Sequence, residues 1–167
     1  MSGQIGELRP LSHKDLECEE LLAILAFSRN SYTGSFFTDS MSDANTTRNF
    51  LQDCLRSDTK FLFLIYVYDK ASSDSRFYGH LGYEIINDQE IEIINVMKVP
   101  NIDSDFKMHQ PLGALLSYLE TYFPKSQLFL KVLKSNDRAI SMYFMCGFKT
   151  STQESTNRVM KMILSRV

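Results

Sequence analysis

The sequence predicts an α+β fold: one domain on a mixed central β-sheet of about seven strands flanked by about four helices. Three observations carry this expectation. Segments that read as strands, the apolar run Phe61–Tyr68 and then Phe77–Ile86 and Glu90–Lys98, follow one another across short polar turns, as antiparallel hairpins do. Further on, strand-like runs alternate with helical stripes, which implies crossover connections. The chain has 167 residues, 44% of them hydrophobic and 23% charged, enough for one core without staples. It shows no internal repeat, low-complexity tract or linker, so residues 1–167 read as a single domain.

Ile5 to Leu11 suits a first short strand, and Ser12-His13-Lys14-Asp15 matches a capping box opening a helix. Cys18, Leu21, Leu22 and Leu25 give that helix an apolar face, which fades at Ser28-Arg29-Asn30. Asn30 to Thr38 is a polar-aromatic loop, of a type that carries ligand contacts when it is more than a surface connection. A second helix starts near Ser40 or Ser42 and buries Thr47, Phe50, Leu51, Cys54 and Leu55.

Phe61–Tyr68 is dense enough in apolar residues for a sheet interior. The next strand contains Gly79 and Gly82, which suggest a bulge or the close approach of another backbone or a ligand. After the turn Asn87-Asp88-Gln89, alternation in the following strand puts Glu90, Glu92 and Ile94 on one side and Ile91, Ile93 and Asn95 on the other. Two carboxylates two residues apart repel, which raises at least one pKa and suits a general base for an ammonium group; a solvent-facing polar edge is the plainer alternative. Pro100 to Phe106 is irregular and acidic.

Gln110-Pro111-Leu112-Gly113 opens a helix whose stripe runs through Leu115, Leu116, Leu119 and Phe123 to a stop at Pro124. A glycine in a first turn costs helix stability, and close approach of a ligand is one reason to place it there. Exposed amides beside Gly113 make a candidate phosphate site. Gln127–Val132 is a strand. The next helix has both ends marked: Ser135, Asn136 or Asp137 can cap its start, and Gly147 supplies the left-handed residue at its stop. Phe148 then packs back on Tyr143, which shares a face with Asn136 and Ala139 or Ile140. Strands at Gly147–Thr150 and Arg158–Leu164 flank a turn at Gln153–Asn157.

The formal net charge is −2, yet Lys131 to Val167 holds seven Lys or Arg against Asp137 and Glu154. The negative net charge argues against a nucleic-acid partner, and a basic end on an acidic protein suits a small anionic ligand; solvated surface charge is the plainer reading for most of these residues. Cys18, Cys54 and Cys146 are too few and too scattered for a disulfide framework or a zinc site, and the helical setting of the first two predicts buried thiols. No metal is expected. With no basic-then-apolar leader and no spanning run, a cytoplasmic protein without a membrane partner is the expectation.

The order β-α-α-β-β-β-α-β-α-β-β, and above all Leu130-Lys131-Val132 followed by Asn136, Ala139, Tyr143 and Gly147-Phe148, resembles the GNAT N-acetyltransferase superfamily over essentially the whole chain. The resemblance implies acetyl-CoA (coenzyme A) as cofactor and direct acyl transfer to a primary amine. It implies Tyr143 as the acid protonating the departing thiolate and Asn136 as a cofactor contact. Glu90-Ile91-Glu92-Ile93-Ile94-Asn95-Val96 resembles the family's central strand, where backbone groups near Asn95, Val96 and Lys98 pair with the pantetheine arm in a splayed gap. Glu90 or Glu92 is then the base, and an N–H near Val96 stabilises the oxyanion. The pyrophosphate loop departs from the family pattern. Met108-His109-Gln110-Pro111-Leu112-Gly113 keeps only its last glycine, followed by Ala114, so Gln110, Leu112, Gly113 and Ala114 are the expected cofactor contacts in a rearranged site with Lys107 or His109 compensating.

Arg29-Asn30, the paired aromatics Phe36-Phe37 and Asn95-Val96-Met97-Lys98 resemble family members that acetylate a nucleotide-linked amino sugar. Arg29, Asn30, Phe36 and His80 are therefore the expected substrate contacts, with His80 as a second base. A small-molecule amine is the expected substrate. A protein or peptide N-acetyltransferase, or a binding module of this fold with weak CoA binding, are the alternatives, and a homodimer is one open oligomeric state.

Overall fold

The computed structural model describes residues 4–32, 43–69, 74–102, 104–152 and 155–165. In chain order the elements are β1 (Gln4–Pro10), a 3-10 turn (His13–Glu17), α1 (Glu19–Tyr32), α2 (Ala44–Arg56), β2 (Lys60–Asp69), β3 (Ser75–Asn87), β4 (Glu90–Lys98), α3 (His109–Tyr122), β5 (Gln127–Leu133), α4 (Asp137–Met145), β6 (Phe148–Ser151) and β7 (Val159–Leu164). The seven strands form one sheet in the order β1-β2-β3-β4-β5-β7-β6. β4 and β5 are its parallel pair, and the other neighbours run antiparallel.

Two cores lie on opposite faces of this sheet. On one, the Leu112, Leu115, Leu116 and Leu119 stripe of α3 packs with Tyr143 of α4 against Ile91, Ile93, Leu128 and Leu130. On the other, Leu21, Leu22 and Leu25 of α1 and Leu51 and Cys54 of α2 cover Leu62, Leu64 and Met97. Amphipathic helices on a two-faced sheet account for the α+β class the periodicity predicts.

The first third differs from expectation in three details. The Ser12–Asp15 box opens the 3-10 turn rather than α1. The Ser12 N–H and hydroxyl both donate to the Asp15 carboxylate at 2.8 Å, and Arg9 pairs with it at 2.6 Å. Burial works to raise the Asp15 pKa, but hydrogen bonds from Arg9 and Ser12 outweigh it and hold the carboxyl below its usual range. Cys18 falls between the turn and α1 and is exposed rather than buried; Cys54 is buried, which pushes its thiol up. α2 is capped by Asp43, whose side chain accepts from the Thr46 N–H, not by Ser40 or Ser42. Those two serines and the Phe36-Phe37 loop lie outside the described residues.

The segment between β4 and α3 is tied down at both edges. Phe106 lies on Gly6 of β1 so closely that a Cβ at Gly6 would stand 2.1 Å from its ring. The Tyr78 hydroxyl donates to the Phe106 carbonyl at 2.8 Å, and the Phe106 N–H donates to Gln4 Oε1 at 3.2 Å. These bonds fix where α3 begins.

Candidate active site

The site begins where β4 and β5 part. They pair in parallel from Glu90 and Gln127 to Ile93 and Leu130, and no further. Beyond that point β4 runs on through Lys98 with β3 alone beside it, so the backbone groups on its other edge face a gap. A strand edge with free N–H and C=O groups is a template for an extended ligand.

β4 changes phase at the same place. His80 pairs with Met97 and Gly82 with Ile94, so the single residue Leu81 spans Asn95 and Val96. This is a β-bulge, and Asn95 sits in it at φ +54°, a left-handed conformation that asparagine tolerates better than most residues. The strict alternation expected for this strand therefore stops at Ile93. Ile91 and Ile93 face the α3–α4 core, whereas Met97 faces the α1–α2 core. Gly79 and Gly82 answer to the close approach of backbone: a Cβ on Gly79 would stand 2.1 Å from the Met97 carbonyl oxygen, and one on Gly82 would stand 2.3 Å from that of Phe61.

The gap opens into a cavity of about 1000 Å³. Ile94 to Lys98 form one wall and Lys131 to Leu133 of β5 another. α4 closes the end with Asn136, Arg138, Ala139, Met142 and Tyr143. Asn136 caps this helix, its Oδ1 accepting from the Ala139 N–H at 3.1 Å. Gly147 ends it at φ +91°, and Phe148 meets Tyr143 edge to face with ring centroids 5.9 Å apart. Tyr143 is thus held by packing, and among the described residues its hydroxyl has no hydrogen-bond partner. Burial, with a smaller effect of Cys146, raises its pKa well above the ordinary phenol range, so the hydroxyl keeps its proton throughout the physiological range.

The two carboxylates have different settings. Glu92 lines the cavity, with Lys131 Nζ 3.4 Å from its Oε2. Glu90 lies outside the lining, with the buried Lys161 at 3.5 Å and the Asn87 amide donating to it at 3.2 Å. Each therefore has its own cation, and the mutual repulsion expected from their spacing is offset. Lys131 and Lys161 are cross-strand partners that both lie over the Phe129 ring, at 5.6 Å and 4.2 Å.

At the other end, Lys98, Lys107, Met108 and His109 line the cavity. The α3 start is largely committed to itself. Gln110 Oε1 accepts from the Lys107 N–H at 2.8 Å, the Gln110 N–H goes to Lys107 O, and the Leu112 N–H goes to Met108 O. Pro111 has no N–H to offer. The Leu112 side chain is in the core, and Gln110, Leu112, Gly113 and Ala114 are not in the cavity lining. A Cβ on Gly113 would meet nothing within 4 Å, so packing does not demand glycine there.

The expected substrate contacts are spread out. Arg29 and Asn30 stand near the end of α1, Arg29 lying over the Phe50 ring at 4.4 Å, and neither lines the cavity. His80 is buried behind the bulge, and Phe36 is outside the described residues. Two features were not read from the sequence: the bulge at Asn95, and Arg138 and Lys131 as cavity cations. The only signal for the cations was the excess of positive charge after Lys131. Among the described residues no group of three or more His, Cys, Asp or Glu side chains could hold a metal, and no helix is long and apolar enough to cross a membrane.

No protein-family model and no curated protein matches this sequence. Solved structures do match its fold. Spermidine N-acetyltransferase from Vibrio cholerae in complex with CoA and spermine superposes with a TM-score of 0.73 at 17% identity, over 95% of this chain and 94% of that one. A Thermus thermophilus acetyltransferase gives 0.72 at 13% identity over 98% of both chains. A probable acetyltransferase of the GNAT family from Chromobacterium violaceum gives 0.70 at 15% identity, over 96% of this chain and 82% of that one. The chain has the fold of the GNAT acetyltransferases.

Proposed function

We propose that this chain is an acyl-CoA-dependent N-acetyltransferase that moves an acetyl group from acetyl-CoA to a primary amine of a small molecule by direct transfer. The observation that carries this reading is the parting of β4 and β5 at a bulge, with a buried, protonated Tyr143 at the end of the resulting cavity. The cavity suits an extended acyl-CoA: an unpaired strand edge for the arm, three cations (Lys98, Lys107, Arg138) for the phosphates, and a phenol in the α4 wall. Acetyl-CoA would supply an activated thioester when bound. Met108 and His109 offer the uncommitted amides of the α3 start among the described residues, and Asn95, Val96 and Lys98 offer the backbone of the open edge.

The residues divide the proton work. Glu92 takes a proton from the incoming ammonium, directly or through water, because it is the carboxylate of the pair that reaches the cavity. A backbone N–H of the bulge near Val96 faces the developing oxyanion. Tyr143 delivers the proton it has kept to the departing sulfur.

For the acceptor, we favour an amino sugar, free or nucleotide-linked. A polyamine would need an acidic floor, and here both glutamates are already paired with lysines. One observation favours a second reading, a binding module of this fold: the α3 start spends its amides internally. Calorimetry with acetyl-CoA separates the two, and absence of heat at millimolar cofactor removes the enzyme reading. Thiol release measured with amino sugars, nucleotide-linked amino sugars, lysine peptides and spermidine then ranks the acceptors; fastest turnover on spermidine would overturn our choice.

A further inference from the structure

Among the described residues His80 makes one hydrogen bond and leaves one ring nitrogen without a partner. Its Nδ1 lies 2.6 Å from the Asn95 carbonyl oxygen. A carbonyl only accepts, so Nδ1 carries the hydrogen and Nε2 is a bare lone pair. Among the described residues the buried Nε2 has no partner, and His80 is 2% exposed. A buried acceptor without a donor costs stability, and an apolar side chain of similar size would fill the same space without that cost. Packing alone therefore does not account for a histidine here. The Nδ1 bond does, because its acceptor is the left-handed residue of the bulge.

We propose that His80 is the positioning residue of the cavity: by donating Nδ1–H to Asn95 it locks the β4 bulge and presets which backbone groups of residues 95–96 face the gap. Asn95 at φ +54° is a conformation the chain adopts only when its surroundings hold it there. His80 pairs across the sheet with Leu64 and Met97, both of the α1–α2 core, so its ring supplies that hold from the side opposite the α4 wall that carries Tyr143. A peptide carbonyl drawn toward β3 turns the following amide toward the gap, which is where a thioester oxygen would need a donor. The imidazole is neutral while it does this: burial pushes its pKa down to about 4, against the Asn95 bond and with help from Arg29. His80 thus acts through the backbone rather than as a second base.

The consequence for catalysis rests on the acetyltransferase reading; the anchoring itself does not. The experiment has two arms. In the first, nitrogen-15 spectra of the unaltered protein report the tautomer and amide exchange reports Val96. The Nδ1–H tautomer is expected, with faster Val96 exchange in His80→Leu than in the parent. An Nε2–H tautomer, or equal exchange in the two proteins, overturns the proposal. In the second arm, acetyl-CoA affinity is measured for the parent, His80→Leu and His80→Asn, whose side-chain amide can stand in for Nδ1–H. Loss of one well-formed bond predicts about tenfold weaker binding in His80→Leu, with most of it recovered in His80→Asn. Equal loss in both variants, or none in either, overturns the positioning role. If the parent itself binds no acetyl-CoA, the acetyltransferase reading falls, and the first arm still decides the anchoring.

Discussion

Lowering the pH from 7 to 4 forces a choice on the buried imidazole of His80. In the unfolded chain it titrates at its ordinary value of 6.5, whereas in the fold burial holds it at about 4. The folded pKa is the lower of the two, so between these values the unfolded state binds the extra proton. Stability therefore rises with pH across this window, is fully present above about 6.5, and is lost progressively as the pH falls to about 4. Integrating the two titrations to pH 4 gives a loss of about 3 kcal/mol. For a chain of this length that corresponds to a fall in Tm of about 6 to 12 °C. Asp15 also loses its hydrogen-bonded advantage in acid, so the raw pH dependence is not diagnostic. The difference between the parent and His80→Asn is, because Asp15 is common to both. Urea unfolding at pH 7 and pH 4 should show the parent losing about 3 kcal/mol more than the variant. Equal losses would mean that the ring is solvated or already charged in the native protein, and the neutral, bulge-holding histidine would be refuted.

Four further outcomes follow from the same geometry. Tyr143→Phe should keep the melting temperature and acetyl-CoA affinity while lowering kcat by about 100-fold in a thiol-release assay; an unchanged rate removes the phenol from the chemistry. Glu92→Gln should lower turnover by a similar factor of about 100 and flatten the acid limb of the pH–rate profile, and Glu90→Gln should do far less, since Glu90 faces Lys161 outside the cavity. Arg138→Ala and Lys107→Ala should each weaken CoA binding by about 1 kcal/mol by calorimetry at low salt, with a smaller effect at high salt. Gly79→Ala should cost at least about 2 kcal/mol in urea unfolding, because the added Cβ meets the Met97 carbonyl, a backbone atom that cannot rotate away.

Periodic features of the sequence gave reliable guidance, and features defined by one side chain meeting one backbone atom did not. The leucine stripe of α3, the Glu90–Lys98 strand and the Asn136–Gly147 helix all repeat or terminate by rules that operate within a few residues. The bulge is different. From Ile93 to Met97 every residue but Asn95 is apolar and could satisfy either sheet face, so the pattern does not record the change of phase. Only the partner strand exposes it, through the spacing of His80 and Gly82 against Met97 and Ile94. The same holds at the α3 start. A Gln–backbone exchange such as that between Gln110 and Lys107 has no period, and it reassigns amides that the spacing alone leaves free for phosphate.

These two departures bear on each other. On the acetyltransferase reading, an α3 start whose amides are partly committed puts more weight on side-chain cations, and Lys98, Lys107 and Arg138 line the cavity. Lys98 is fixed by its position one residue past the flipped Met97, with its Nζ 3.3 Å from the Ile102 carbonyl and 5.2 Å above the Tyr78 ring. Without the phase change, residue 98 would fall on the opposite face of β4, toward the α1–α2 layer. The bulge that opens the strand edge thus also delivers a cation to the α3–α4 side. On the acetyltransferase reading its anchor, His80, consequently bears on both ends of the cavity: the amide proposed for the oxyanion and the Lys98 charge proposed for the phosphates. A variant that releases the bulge should therefore lose affinity for free CoA as well as for acetyl-CoA. Loss confined to acetyl-CoA would place the effect of His80 at the thioester end alone.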